Sequence, residues 1–454
     1  MKTPKASLKK SIILALPVAA ALMAAPLAGA SPMSQWSSVA SALFAQEKEE
    51  KSKLEGRETK RAQTMREAVY KRLSAAQEAA ELEDYVTAEK ELKAVEKVKN
   101  LTPYETAQLY NFYAFIYYSK EDYAGATRSY ETVLRQADLP EAMALSTRYS
   151  LAQLYFVQEN YTKAEGMLED WFAMVENPNP RAYVMLGQCR YSMEKYREAL
   201  VPMSKAIELA EAEDGKADEN WYSLQRVLYY ELEDYENTAN VLEKLIRLYP
   251  RKDYWMQLAG MFGELDDQEK QLIVLDLAYK QGFFARGSEY TNLAQLLIQD
   301  EIPYRAAVVL EDGMEKGHVE RDVNNLRLLS QAYVVAQEDK KAIDPLREAA
   351  KLDDDGELYM HLSNSLFNLD RFKESEAAAR EAIRRGLKKK SDAQITLGMA
   401  LYEQDRLEDA RKAFLQVSGK GSNTKMASQW VNFITKEQAR LEQLAQAIAA
   451  NKAP

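Results

Sequence analysis

The chain has 454 residues, 46% hydrophobic and 29% charged, with 17 Gly, 13 Pro and a formal charge of −10. That balance excludes wholesale disorder, collagen-like sequence and a turn-rich all-β fold, and leaves a helix-rich protein with a well-buried interior. One cysteine, Cys189, and two histidines, His318 and His361, exclude a disulfide framework and a multi-cysteine zinc site and leave histidine catalysis poorly supplied.

In chain order, the first segment is a secretory signal peptide over residues 1–30. Lys2, Lys5, Lys9 and Lys10 form a positive start, Ile12 to Ala25 an apolar run broken by Pro17, and Ala28-Gly29-Ala30 a small-residue cleavage site. About 14 apolar residues span only about 21 Å of a roughly 30 Å hydrocarbon core, which favours cleavage over anchoring. The expected compartment is the periplasm. No cysteine follows the cut, and no later stretch has 18 uninterrupted apolar residues, so no membrane span is expected after cleavage. Losing four lysines takes the formal charge to −14, which disfavours nucleic acid and anionic lipid as partners. The run Lys388-Lys389-Lys390 after Arg384-Arg385 is too short to reverse this and reads as a helix-end cap or a solvated loop.

Residues 31–65 read as a flexible or weakly helical lead-in, with Gln46 to Lys53 almost purely charged. Beyond it a unit of about 34 residues recurs, anchored on Ala76, Ala114, Ala152, Gly187, Arg226, Ala259, Ala294, Ser330, Ser363 and Gly398. Each anchor is expected eight positions into a first helix, with a second small residue 12 positions later in a second helix. The second helix is announced by Tyr85, Tyr123, Tyr161 and Tyr196, each three residues before Ala88, Ala126, Ala164 and Ala199. Small residues let two helices approach closely while the tyrosine fills the turn. Arg226, Thr238, Gln271 and Ser375 depart from the small-residue pattern.

At these residues the sequence resembles the tetratricopeptide repeat family over about 66–418. The resemblance implies an all-α, right-handed solenoid of about ten helix-turn-helix repeats, one continuous superhelix. Residues 419–454 then form a capping helix and tail, with Trp430, Phe433 and Ile434 on one face. The strings Asn220-Trp221-Tyr222, Tyr254-Trp255-Met256-Gln257-Leu258, Ala278 to Gly282, Ser288-Glu289 with Asn292-Leu293-Ala294, and Pro303 to Ala307 look like those of exported bacterial tetratricopeptide proteins encoded with TonB, ExbB and ExbD. That resemblance implies a scaffold or adaptor binding a protein or peptide partner, TonB-system components among them.

Motifs for chemistry are missing. There is no phosphate-binding loop, no dinucleotide fingerprint, no His-Glu-x-x-His pair and no Gly-x-Ser-x-Gly elbow, so no cofactor and no metal are expected. Asp353-Asp354-Asp355-Gly356 fails as a calcium loop, because Lys351 holds the first ligand position, and reads as a turn. Cys189 reads as a buried small hydrophobe, and His318 and His361 as structural or surface residues. A non-enzymatic role follows, with an envelope assembly or secretion adaptor and a carboxylate-only enzyme as rivals.

Binding residues are expected on the first helices, at the anchor's next neighbour and three residues further on, which share a face. The first row includes Gln77, Phe115, Gln153, Gln188, Gln295, Gln331 and Asn364; the second includes Tyr118, Phe156, Tyr191 and Tyr230. Amides that bond a peptide backbone and rings that cover its side chains form one reading of this peptide groove. Amides that merely favour a solvated helix, and rings packed on the neighbouring repeat, form the other.

Overall fold

A computed structural model describes residues 65–353, 356–419 and 421–451, with side chains to 448. The expected signal peptide, nearly all of the lead-in, and Asp354 and Asp355 of the expected turn lie outside the described residues. Among those described there are 21 α-helices and no strand. Two compact units divide the chain, Met1–Pro250 and Arg251–Pro454.

The described part of the first unit is five helical hairpins: α1 Glu67–Glu81 with α2 Tyr85–Glu96, α3 Pro103–Ser119 with α4 Tyr123–Leu134, α5 Glu141–Val157 with α6 Tyr161–Phe172, α7 Pro180–Ser192 with α8 Tyr196–Asp214, and α9 Glu219–Glu231 with α10 Tyr235–Leu248. The second unit repeats the scheme: α11 Lys252–Glu264 with α12 Gln268–Lys280, α13 Gly287–Gln299 with α14 Pro303–Glu315, α15 Val323–Val335 with α16 Asp339–Leu352, α17 Gly356–Asn368 with α18 Phe372–Arg384, and α19 Lys390–Tyr402 with α20 Leu407–Leu415. A final helix, α21, runs Ser422–Asn451.

One turn is used ten times. Glu83, Glu121, Glu159, Glu194, Glu233, Asp266, Glu301, Gln337, Asp370 and Asp405 all take left-handed φ values between 56° and 61°, and each lies seven residues after its anchor. The next residue's N–H reaches back to a carbonyl in the first helix, as Asp122 N does to Tyr117 O and Asn160 N to Tyr155 O, both at 2.8 Å. This closes the open carbonyls of the helix end. In the first unit that next residue also opens the second helix: Asp84, Asp122, Asn160 and Asp234 accept from backbone N–H groups three residues on. Nine of these ten left-handed residues are acidic, Gln337 being the exception, and they stand at the start of the second helix, where the dipole favours negative charge.

The constant distance is therefore from anchor to turn. The anchor stands five residues before the end of the first helix in nine hairpins. Counted from the helix start it is tenth in α1 and twelfth in α3 and α5, because those helices begin earlier.

Nine of the ten anchors are buried, Arg226 being intermediate. The departures fit the same register. Thr238 is 1% exposed, with its hydroxyl donating to Asp234 O at 2.8 Å, and Ser375 is fully buried. Gln271 takes the place of a small residue because Gly263 opposite has no side chain: a Cβ there would stand 2.8 Å from Gln271 Nε2.

First helices face two cores at once. Leu109, Tyr113 and Ile116 of α3 pack back onto Val69, Leu73, Leu92 and Val95 of the first hairpin, while Ala107 and Ala114 pack forward onto Leu151, Leu154 and Leu168. A helix covered on two sides needs apolar residues around most of its girth. Each fully buried leucine contributes about 1.5–3 kcal/mol, so the stack is held by nearest-neighbour burial. Polar ties add register at the starts of first helices. Arg66 Nη2 meets the fully buried Glu105 at 2.6 Å, Lys252 meets Glu289 at 3.4 Å, and Arg327 meets Asp353 at 2.7 Å.

In the last core, Ala427, Trp430 and Ile434 of α21 pack on Leu397, Leu401 and Phe414, with the Trp430 ring stacked on Phe414 at 5.5 Å. Phe433, expected on that same face, is 49% exposed at its edge, one residue around the helix from Ile434. The lysine run is the solvated loop that was one of its two expected readings: Lys388 and Lys389 lie in the exposed turn before α19, and the exposed Lys390 opens that helix.

Candidate protein-interaction surface

The strings that carry the more specific resemblance are mostly packing residues. Tyr222 and Tyr254 are 0% and 8% exposed, and Tyr222 OH accepts from Ala217 N at 3.0 Å, tying α9 to the loop before it. Tyr304 and Arg305 lie outside, on second helices: Tyr304 OH accepts from Lys341 Nζ at 2.8 Å, and Arg305 pairs with Asp276.

The first row is a surface feature in both units. Gln153, Gln295, Gln331 and Asn364 are exposed, and Gln77 and Gln188 are half-buried. Gln77 Nε2 donates to Glu81 Oε1 at 3.0 Å, and Asn364 Oδ1 accepts from Thr396 Oγ1 at 3.0 Å. That second bond joins first helices of adjacent hairpins, so the row lies where one first helix meets the next. The amides of Gln153, Gln295 and Gln331 face solvent, which leaves donors and acceptors open to a partner, and Gln188 is half-covered. Phe115 departs from the row, because its half-buried ring packs onto the core of the first hairpin.

The second row is held by a contact that sequence reasoning missed. Tyr118 meets Tyr123 with ring centroids 5.8 Å apart, Phe156 meets Tyr161 at 5.5 Å, Tyr191 meets Tyr196 at 5.8 Å, and Tyr230 meets Tyr235 at 6.0 Å. Phe367 and Phe372 repeat this at 5.4 Å in the second unit. The rings clasp their own hairpin across the left-handed turn, and Tyr118, Phe156 and Tyr191 also pack on cores shared with neighbouring hairpins, as one of the two readings expected. The available signal was an aromatic pair five residues apart, flanking an acidic residue. Each pair adds about 0.5–1.5 kcal/mol beyond its area. Burial disfavours the phenolates of Tyr118, Tyr191 and Tyr196 and raises them above the ordinary tyrosine value, so all three stay neutral hydroxyls. Tyr118, Phe156 and Tyr191 are half-buried, while Tyr230 is 39% exposed. The clasps thus hold each ring beside the amide row with one face partly open.

Little else converges. Among the described residues, no three His, Cys, Asp or Glu side chains come together to hold a metal ion, and no helix is long and apolar enough to cross a membrane. Cys189 is fully buried, and burial pushes its thiol up to about 12, far from a reactive thiolate. His318 stacks on Tyr290 at 5.8 Å, and His361 is exposed. A cleft of about 290 Å³ between α16, α17 and α18 has an apolar floor of Leu362, Leu366 and Ala378, and Arg347 pairs with Glu374 at its rim.

A family model described as tetratricopeptide repeat matches residues 362–422. No curated protein matches the chain. Among solved structures, a tetratricopeptide repeat protein from Parabacteroides merdae is 17% identical over 66% of this chain and 100% of that one, with a TM-score of 0.34. MamA is 19% identical over 39% of this chain and 91% of its own, at 0.33. YrrB, described as a tetratricopeptide protein with an unusual peptide-binding site, is 17% identical over 39% and 91%, at 0.33. The chain has the tetratricopeptide repeat fold, its other hairpins sharing the period, turn and packing of residues 362–422.

Proposed function

We propose that the protein is a periplasmic scaffold that holds an extended segment of a partner protein along its first helices, within a TonB-linked transport complex. The observation that carries the binding mode is the amide row that each unit presents on its own first helices: Gln153 and Gln188 in the first unit, Gln295 and Gln331 in the second, all exposed but the half-buried Gln188. An extended peptide offers donors and acceptors along its backbone, and weak bonds to such amides add along the surface of each unit. The clasped rings beside the row supply apolar contact without first having to be ordered. Export and the TonB link rest on the sequence: the leader over residues 1–30 and the strings around Tyr222, Tyr254 and Tyr304.

Affinity purification from envelope extracts tests the assignment. Recovery of TonB-system proteins is the expected result, and recovery of only unrelated enzymes contradicts it. Substituting Gln153, Gln188 and Tyr191 together tests the surface: capture of the partner is lost while helix content is kept. Unchanged capture by the folded variant refutes the row as the binding site.

A further inference from the structure

In the sixth hairpin both rows lose their first-helix side chains. Gly260 stands at the first-row position of α11 and Gly263 at the second, and both are exposed. No other hairpin has glycine at either position. The second helix compensates. Gln271 of α12 holds the place that Ala126, Ala164 and Ala306 hold in their hairpins, and its side chain is long enough to cross to α11. A Cβ on Gly263 would stand 2.8 Å from its Nε2 and 3.9 Å from its Oε1. The half-buried Gln271 amide therefore ends where a second-row side chain would begin. Tyr118, Phe156, Tyr191 and Tyr230 fill that place with a ring clasped to an aromatic five residues on; here the residue five on is the exposed Gln268.

A glycine inside a helix costs stability relative to alanine. Packing accounts for Gly263, whose missing side chain admits Gln271. It does not account for Gly260, where nothing lies within 4 Å of an added carbon. The bare backbone at Gly260 leaves clearance on the row, one turn from the Gln271 amide.

We propose that Gln271 is the sixth hairpin's member of the amide row, delivered across the hairpin through Gly263, and that the main chain of the partner's extended segment lies directly on α11 at Gly260, an assignment that rests on the first-helix row as the binding surface. The chemistry selects a main chain. A primary amide meets both the N–H and the C=O of a peptide unit. Positions 260, 263 and 271 carry no charge for a charged side chain to meet. A missing side chain permits close approach of another backbone. In the second unit an amide then stands one hairpin ahead of Gln295 and Gln331.

Peptides selected on the full chain from a random-sequence library, with affinities read by fluorescence anisotropy, test the assignment. Gln295→Ala/Gln331→Ala reports on the row itself and is expected to weaken them. Gln271→Met keeps the length of the side chain and removes its amide; it is expected to weaken the same peptides about two- to tenfold, the worth of a hydrogen bond. Gly260→Leu is expected to raise the melting temperature and yet weaken them about tenfold or more, because the new side chain occupies the path of the main chain. Gly166→Leu, at an equally open glycine on the second helix α6, is expected to leave binding unchanged. If Gln271→Met or Gly260→Leu keeps full affinity while the Gln295/Gln331 variant loses it, the assignment is overturned and the row stands. If no peptide is selected, or none responds to the Gln295/Gln331 variant, the second unit's row is overturned and the assignment with it.

Discussion

Ser363 and Ser375 hold each other: each hydroxyl donates to the other's backbone carbonyl at 2.8 Å, and both side chains are fully buried. They occupy the two small-residue positions of the ninth hairpin, where earlier hairpins have pairs such as Ala114 with Ala126 and Ala152 with Ala164. Two hydroxyls stand at a close helix crossing, and each is satisfied by a backbone carbonyl that an alanine at the other position would keep. Either single Ser→Ala change is therefore expected to cost about 0.5–1.5 kcal/mol, the net worth of a buried hydrogen bond. The double change is expected to cost close to the sum of the two. Denaturant titration of the four proteins as a double-mutant cycle checks this, and a double variant as stable as the parent contradicts it.

One substitution has opposite signs at two glycines. Gly356 is pressed against Ala382, and a Cβ there collides with that residue's carbonyl oxygen, a backbone atom that cannot step aside. Gly356→Ala is expected to force α17 and α18 apart and cost about 1–3 kcal/mol. At Gly260, in the middle of α11, nothing lies within 4 Å of the added carbon. Gly260→Ala is expected to stabilise by up to about 1 kcal/mol through helix propensity. Thermal melts of both variants decide the matter.

The repeated turn makes its own prediction. Glu194 sits at φ 60°, a conformation glycine adopts freely and a β-branched residue resists. Glu194→Gly is expected to be neutral or to stabilise by up to about 1 kcal/mol. Glu194→Val is expected to destabilise by about 1–2 kcal/mol, with no change in the hydrophobic core. Equal losses for both would show that the carboxylate matters more than the backbone.

Acid acts on the first unit through Glu105. Its hydrogen bonds to Arg66, and those from the Thr102 and Arg66 backbone amides, hold its carboxyl at about 2 against an ordinary value of 4.5. A carboxyl with a lowered folded value contributes stability that is complete above its unfolded value and lost as pH falls. The window therefore lies between about 4.5 and about 2. Glu105→Gln is expected to be less stable at neutral pH, because the buried side chain loses its charge-assisted bonds to Arg66, whose own exposure to solvent limits the loss. The gap from the parent is expected to close as pH falls through that window. A gap independent of pH would contradict the ion pair as its source.

The register of most hairpins was legible in the sequence because close helix crossings demand small residues at fixed distances from a tight turn. Ala152, Ala164 and Tyr161 report that geometry directly. Gln271 obscured it, since the compensation lies eight residues away at Gly263 and shows only once the two helices are set side by side. The aromatic clasps were hidden for a related reason: Tyr191 and Tyr196 are five residues apart, a spacing with no meaning on one helix and a clear one across a turn. The division after Pro250 left no mark, because the repeat passes through it with its usual spacing from Glu233 to Asp266. Of the candidate site, the amides were legible as a row, but their surroundings were not. Asn364 shares its oxygen with Thr396, and Phe115 is committed to the first hairpin.

The central claim is that partners lie along the first-helix row. A photo-crosslinking amino acid placed at Gln295, and for comparison at the exposed Lys90 on a second helix, tests it in intact envelopes. The account predicts adducts with a TonB-system protein from position 295 and none from position 90. Adducts from position 90 alone, or from neither position while the protein still co-purifies with its partner, would contradict it.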